Sequence, residues 1–207
     1  MEKKEVVITS AIRTAVGSLG KSLKNIQADE LGSVVISKAV QNSKLEKEQV
    51  DEVVMGQVLT SNTGQNPARQ AAMKSGIPKE KPAHIVNQVC GSGIRSIASG
   101  FQSIKSGDSK IVIAGGQESM SMAPHAIRLR DGKKLGDAKI IDTMIKDGLW
   151  DAFYDYHMGF TAENVAEKFQ VTRNEQDKFA LKSQEKALKA KTEKRFKDEI
   201  VNFKIKS

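Results

Sequence analysis

Short apolar runs alternate with stretches of helical period through residues 1–118. Val6-Val7-Ile8 is a compact run of strand formers and predicts a first strand. From Asp29 to Asn42, Leu31, Val34, Val35 and Ala39 recur at the spacing of one helix face. Val53-Val54-Met55 predicts a strand ended near Gly56, and Pro67 suits the first turn of a short helix to Lys74. Ile85-Val86 with Val89 predicts a third strand. Ile94, Ile97, Ala98, Phe101 and Ile104 then trace one face of a helix. Ile111-Val112-Ile113-Ala114 closes the series, stopped by Gly115-Gly116. Strands alternating with helices predict an α/β fold whose mainly parallel sheet carries helices on both faces.

Beyond Glu118 the texture changes, which places a division between residues 1–118 and a largely helical region over 119–207. Ser119 to Pro124 has no clear period. Arg128, Arg130, Lys133, Lys134 and Lys139 fall around turns marked by Gly132 and Gly136. Thr161 predicts the N-cap of a helix through Phe169. Thr172-Arg173-Asn174-Glu175 has the form of a capping box and opens a long helix to about Lys194, with Phe179, Ala180, Ser183 and Ala187 facing inward. Glu199 to Lys206 alternates apolar and polar residues as a strand does.

A chain of 207 residues is long enough to bury a core without disulfide or metal staples. Hydrophobic residues make up 39% and charged residues 28%, which excludes wholesale disorder. No apolar run approaches a membrane span, and nothing near Met1 has signal-peptide form, so a cytoplasmic location is expected. One cysteine excludes an intrachain disulfide and a multi-cysteine zinc site, and the spacing of His84, His125 and His157 matches no metal motif. The net charge of +8 is spread over both halves, and aromatics are only 5%. Neither a basic nucleic-acid arm nor base-stacking platforms are supplied, and nucleic acid is not expected as a partner.

Chemistry concentrates at Asn87-Gln88-Val89-Cys90-Gly91-Ser92-Gly93, between a buried-type strand and an amphipathic helix. Gly91 and Gly93 allow a turn too tight for a side chain and permit close approach by a substrate. The following helix aims unpaired N–H groups and a partial positive charge back at Cys90. Such a setting favours thiolate over thiol, and the same amides suit the oxygen of a thioester. A strand, a sharp turn, a nucleophile and a helix form a covalent acyl-transfer arrangement. A lone cysteine before a helix also serves commonly as a small buried hydrophobe. Spacing alone leaves both readings open.

The stretch Asn87–Gly93 resembles the nucleophile motif of the thiolases, the acetyl-CoA acetyltransferase family. Ser10-Ala11-Ile12-Arg13-Thr14-Ala15-Val16-Gly17, Gly64-Gln65-Asn66-Pro67-Ala68-Arg69-Gln70 and Ala114-Gly115-Gly116-Gln117-Glu118-Ser119-Met120-Ser121 are similar to thiolase stretches at matching places. So are Tyr156-His157-Met158-Gly159 and Thr161-Ala162-Glu163-Asn164. The resemblance implies a thiolase-like N-terminal half over 1–118 and a loop region for coenzyme A binding and oligomerisation over 119–207. It implies acyl transfer between coenzyme A thioesters through a cysteine acyl-enzyme: two acetyl-CoA giving acetoacetyl-CoA and CoA, or the reverse thiolysis. Cys90 matches the acylated nucleophile, and Leu149, His157 and Met158 match positions that contact the pantetheine and nearby parts of the substrate. No tightly bound cofactor and no metal are implied; acetyl-CoA and acyl-CoA are the partners. Residues 128–150 resemble the loop that ties dimers into tetramers, and Gln65–Gln70 a segment near the dimer interface, which implies a homodimer or a dimer of dimers.

The departures are large. Family members are about twice this length, and their second half supplies a Gly-His-Pro histidine, a Cys-x-Gly cysteine and a water-holding asparagine. None of these motifs occurs here, and there is no second cysteine. The isolated chain is therefore expected to be inactive in condensation while keeping slow acylation of Cys90. With the face that normally meets the second half uncovered, it is expected to be poorly soluble or heavily oligomeric. Two readings follow: the N-terminal portion of a thiolase, or a non-catalytic acyl-CoA-binding module or half of a split enzyme that pairs with a separate chain.

Overall fold

The computed structural model describes residues 5–203. Helix α1 (Ala28–Asn42) leads through a short 3-10 turn (Lys47–Gln49) into strand β1 (Glu52–Gly56). Helix α2 (Pro67–Lys74), strand β2 (Ala83–Val86), helix α3 (Ser92–Ser106) and strand β3 (Val112–Gly116) follow. The three strands form one parallel sheet in the order β2-β1-β3, with Val53 opposite Ala83 on one side and Ile113 on the other. The crossover through α2 runs one way from β1 and the crossover through α3 returns past it. Keeping the usual right-handed connection therefore puts these helices on opposite faces.

The two faces are built from different materials. On one, Val53 and Met55 of β1 pack with Ile36 and Val40 of α1, Ala68, Ala71 and Ala72 of α2, and Val50 and Ile77. This cluster is the hydrophobic core. On the other, α3 lies close against the sheet through its small residues Ser92, Ser96 and Gly100, all buried. A Cβ at Gly100 would stand 3.0 Å from Val112 Cγ1 and 3.4 Å from the Ala114 Cβ, so a larger residue there would have to push these side chains aside. The single Ser96 O–H is shared between the carbonyls of Gly93 (2.7 Å) and Gly115 (2.5 Å), giving partners to a side chain with no exposed surface. The apolar stripe read from the sequence is the opposite face of α3: Ile94 is 75% exposed, and Ile97 and Phe101 are also open.

Beyond β3 the chain builds a 3-10 turn (Met120–Met122), a two-stranded antiparallel pair β4 (His125–Ala126) and β5 (Ile141–Asp142), a π-helical turn (Ile145–Leu149), α4 (Met158–Lys168) and α5 (Arg173–Thr192). Thr143 is the one buried residue among those described after Glu118. The capping box at Thr172 forms: the Thr172 Oγ1 accepts from the Glu175 N–H at 3.3 Å, and the Thr172 N–H donates to Glu175 Oε2 at 2.8 Å.

Several expectations are corrected. Val6-Val7-Ile8 forms no strand, and Val7 and Ile8 are exposed; among the described residues no neighbouring strand offers them a ladder. Val89 lies outside β2, because its backbone has turned left-handed. Gly115 and Gly116 do not stop β3 but belong to it, pairing with Met55 and Gly56. Thr161 lies inside α4, whose N-cap is His157. Phe179, Ala180, Ser183 and Ala187 do not face a core: α5 has no buried residue, and is held by its cap and by pairs such as Arg173–Asp177. At Glu199–Ile200 a bridge to Arg13 replaces the expected strand, and Lys204 to Lys206 of that strand lie outside the described residues. No helix among the described residues is long and apolar enough to cross a membrane.

Candidate active site at the start of helix α3

Cys90 is an exposed free thiol one residue before the N-cap of α3. The turn that carries it is sharper than its glycines require. Val89, not a glycine, has the left-handed backbone (φ +48°), a conformation that costs a β-branched residue about 1–3 kcal/mol. The surroundings over-determine it. The Val89 N–H donates to Asn87 Oδ1 (2.9 Å), and its carbonyl accepts from both the Ser92 hydroxyl (2.6 Å) and the Ser92 N–H (3.1 Å). Ser92 Oγ also accepts from the Gln88 N–H at 2.9 Å. Gly91 has an ordinary φ of −83°, although a Cβ there would stand 3.3 Å from the Gln88 carbonyl; around Gly93 a Cβ would meet nothing within 4 Å. Tightness thus resides at Val89, and Gly93 keeps the space over the first turn open.

The helix start is seated on a glycine shelf at the ends of β1 and β3. A Cβ at Gly56 would lie 2.4 Å from the Ser92 carbonyl carbon, and one at Gly116 would lie 3.5 Å from the Gly93 Cα. No side chain caps this helix. Among the described residues, no acceptor meets the N–H groups of Gly93 and Ile94 in its first turn. Such amides, with the helix dipole behind them, suit a thiolate or a developing oxyanion.

Opposite the turn runs the loop after β1, held by residues the sequence reading passed over. The half-buried Glu118 carboxylate accepts from the N–H groups of Val58 (2.8 Å) and Leu59 (3.2 Å). Burial pushes this carboxyl above its ordinary range, and the backbone hydrogen bonds only partly oppose that rise. Buried Gln117 and Gln57 join below it, Gln117 Nε2 to Gln57 Oε1 at 2.9 Å, and Gln57 Nε2 donates to the Leu59 carbonyl. Asn87 Nδ2 reaches the Val58 carbonyl at 3.4 Å. The only sequence signal for Glu118 was its place in the Gly-Gly-Gln-Glu stretch; its partners are some sixty residues away and have no local signature.

Leu149 is half-buried at the end of the π-helical turn, and a Cβ on its neighbour Gly148 would touch Leu59 Cδ2 at 3.5 Å. The Leu149 turn and the Cys90 turn therefore flank the same Val58–Leu59 loop. His157 caps α4: its Nδ1 accepts from the Gly159 N–H at 3.0 Å, which leaves the proton of the neutral ring on Nε2. It also bridges to Trp150, closing a loop in which Tyr154 and Tyr156 stack at 5.9 Å. Met158 is exposed at the first position of α4. Among the described residues no hydrogen bond joins His157 or Met158 to the Cys90 turn. His84 pairs with Glu52 (3.3 Å) and His125 with Asp142 (3.8 Å), so no histidine bonds Cys90. Clefts of about 600 and 410 Å³ open beside Ser10–Ile12 and between α4 and α5, away from the thiol. Among the described residues no three histidine, cysteine or acidic side chains assemble as a metal site.

The model of the thiolase N-terminal domain matches residues 6–207. The chain is 58% identical over 207 residues to an acetyl-CoA acetyltransferase of Rhizobium meliloti (strain 1021), covering all of this chain and 53% of that protein. It is 55% identical over 203 residues to one of Paracoccus denitrificans and 56% over 206 to one of Shinella zoogloeoides, covering 52% of each. The chain spans about half the length of the curated relatives it matches. With a parallel sheet, a glycine shelf and an exposed cysteine at a helix start, it belongs to the thiolase family, matched along that family's N-terminal domain.

Proposed function

We propose that this chain supplies the acyl-accepting half of a coenzyme A acyltransferase, with Cys90 as the nucleophile. The sulfur of Cys90 attacks the thioester carbonyl carbon and forms an S–C bond, and the bond from that carbon to the coenzyme A sulfur breaks. The departing thiolate takes up the proton that the Cys90 thiol gives up. The first-turn amides of α3 receive the carbonyl oxygen as it gains charge. The observation that carries this reading is an exposed thiol before an uncapped helix, in a turn held at the cost of a left-handed valine. The relatives' name supports acetyl-CoA as the donor and acetoacetyl-CoA synthesis, or its reverse, as the reaction of the whole enzyme.

Residues 1–118 form the core half in this reading, and 119–207 the loop region that lies along the pantetheine through Leu149, His157 and Met158. The protein works in the cytoplasm as a homodimer or a dimer of dimers, with no metal and no tightly bound cofactor. Condensation needs a base and a second acid/base, and a positioned base alone is worth on the order of 10²–10⁴ in rate. The only cysteine is the nucleophile itself, and the three histidines stand elsewhere. This chain alone therefore acylates without condensing. A second reading, a partner-dependent half, is favoured by the open stripe Ile94, Ile97 and Phe101 on α3, which suits burial against a further α/β half.

Incubation with acetyl-CoA followed by peptide mass spectrometry tests the assignment. One acetyl group on Cys90, lost in Cys90→Ser, is the expected result, with no acetoacetyl-CoA released. Labelling only at lysines, unchanged in Cys90→Ser, overturns it.

A further inference from the structure

We propose that Glu118 is a positioning residue for the Cys90 turn, acting through Val58 and Asn87. The inference rests on the reading of Cys90 as the acyl acceptor and adds a group that holds it in place. Glu118 lies two residues beyond β3 and accepts from the N–H groups of Val58 and Leu59 across the end of the sheet. Those two bonds fix the peptide whose carbonyl, that of Val58, receives Asn87 Nδ2. The same Asn87 side chain accepts from the Val89 N–H through Oδ1, on the residue whose left-handed backbone aims Cys90. One carboxylate is thereby tied to the strained residue through a single asparagine. The exposed Asn87–Val89 segment is bonded through this relay, through Ser92, and through the Gly91 N–H, which donates to the Gln88 carbonyl at 3.0 Å.

Glu118 is a costly choice for a merely structural tie. It is half-buried, and a glutamine would offer Val58 and Leu59 an acceptor without a charge to desolvate. The relay requires an acceptor at that point and not the charge itself, which makes the two obvious substitutions diverge.

The test is the rate of Cys90 alkylation by iodoacetamide at pH 7 on the full chain, alongside acetylation by acetyl-CoA. Glu118→Ala and Asn87→Ala are each expected to slow alkylation roughly tenfold, since a turn released from the relay carries the thiol off the partial positive charge at the start of α3. The double variant should be no slower than the worse single one, because both act on one path. Glu118→Gln should stay within about twofold of the parent, the rescue a positioning role predicts. Circular dichroism identifies folded variants; if Glu118→Ala does not fold, Glu118→Asp, which keeps the charge but loses reach, takes its place and is expected to be slow. Multiplying penalties in the double variant, a Glu118→Gln as slow as the alanine variant, or an unchanged rate in Glu118→Ala would each overturn the proposal. A parent chain whose Cys90 takes no acetyl group, yet whose alkylation follows this pattern, would overturn the acyl-acceptor reading and leave the relay standing.

Discussion

Helices α3 and α5 begin in opposite ways, although each follows a left-handed residue, Val89 before α3 and Gln170 before α5. At α5 the first turn is closed by its own side chains, with Thr172 and Glu175 bonded reciprocally to each other's backbone. At α3 the N-cap is Gly91, no side chain caps the helix, and an exposed thiol stands beside it. The surroundings differ in the same sense. Helix α3 is pressed onto the sheet through Ser92, Ser96 and Gly100, whereas α5 has no buried residue and depends on local bonds. A helix without tertiary support must satisfy its own N-terminus. One seated on a glycine shelf can leave those amides to a ligand, because packing elsewhere offsets the loss.

The largest effect that can break this contrast is the loss of the thiol proposed as nucleophile. Cys90→Ser is expected to lower acetyl transfer to residue 90 more than about a hundredfold, since a serine hydroxyl without an adjacent base is a weak nucleophile; quantitative mass spectrometry reads it. Next comes the shelf. Gly56→Ala sets a Cβ against the Ser92 backbone and is expected to destabilise the fold by about 2–3 kcal/mol in urea unfolding, with Cys90 reactivity falling in step. A neutral Gly56→Ala would mean that α3 does not need this seat. Thr172→Ala should cost about 1 kcal/mol of helix stability at α5 and leave Cys90 labelling unchanged, which separates the two helix starts.

A smaller effect depends on pH. Because burial raises the Glu118 carboxyl, its ionised form weighs against the fold. That penalty is absent below the ordinary value of 4.5 and grows as pH rises through the raised folded value. Thermal melts of Glu118→Gln against the parent should therefore shift in the variant's favour between pH 4 and pH 7; a gap constant with pH contradicts the assignment. The smallest change is expected on the open face of α3. Ile94→Gln should alter monomer stability by no more than about 0.5 kcal/mol while reducing self-association in sedimentation.

Much of the sheet was legible because its signals are local. Strands β1 and β2 and helices α1 and α2 follow from apolar runs, period and Pro67, and the α5 cap from Thr172 and Glu175. What misled was face and partner. The period at Ile94, Ile97 and Phe101 is real, but period alone does not say which face meets the sheet, and here the small residues do. Val6–Ile8 reads as a strand from composition, yet a strand exists only with a neighbour to bond. At the site, a cysteine in a sharp turn before a helix was readable from Asn87–Gly93 and from the apolar period of the residues that follow. The left-handed Val89 and the Glu118–Val58–Asn87 tie were not, because both arise from contacts between distant segments.

The central claim, that the start of α3 activates Cys90, is tested most directly by comparing the folded chain with itself unfolded. Acetylation of Cys90 by acetyl-CoA is followed by peptide mass spectrometry in native buffer and in urea. The account predicts faster acetylation of the native thiol, because only the folded chain sets the first-turn amides of α3 beside the thioester oxygen. Equal rates in the two states, or a native thiol that reacts more slowly, would contradict it.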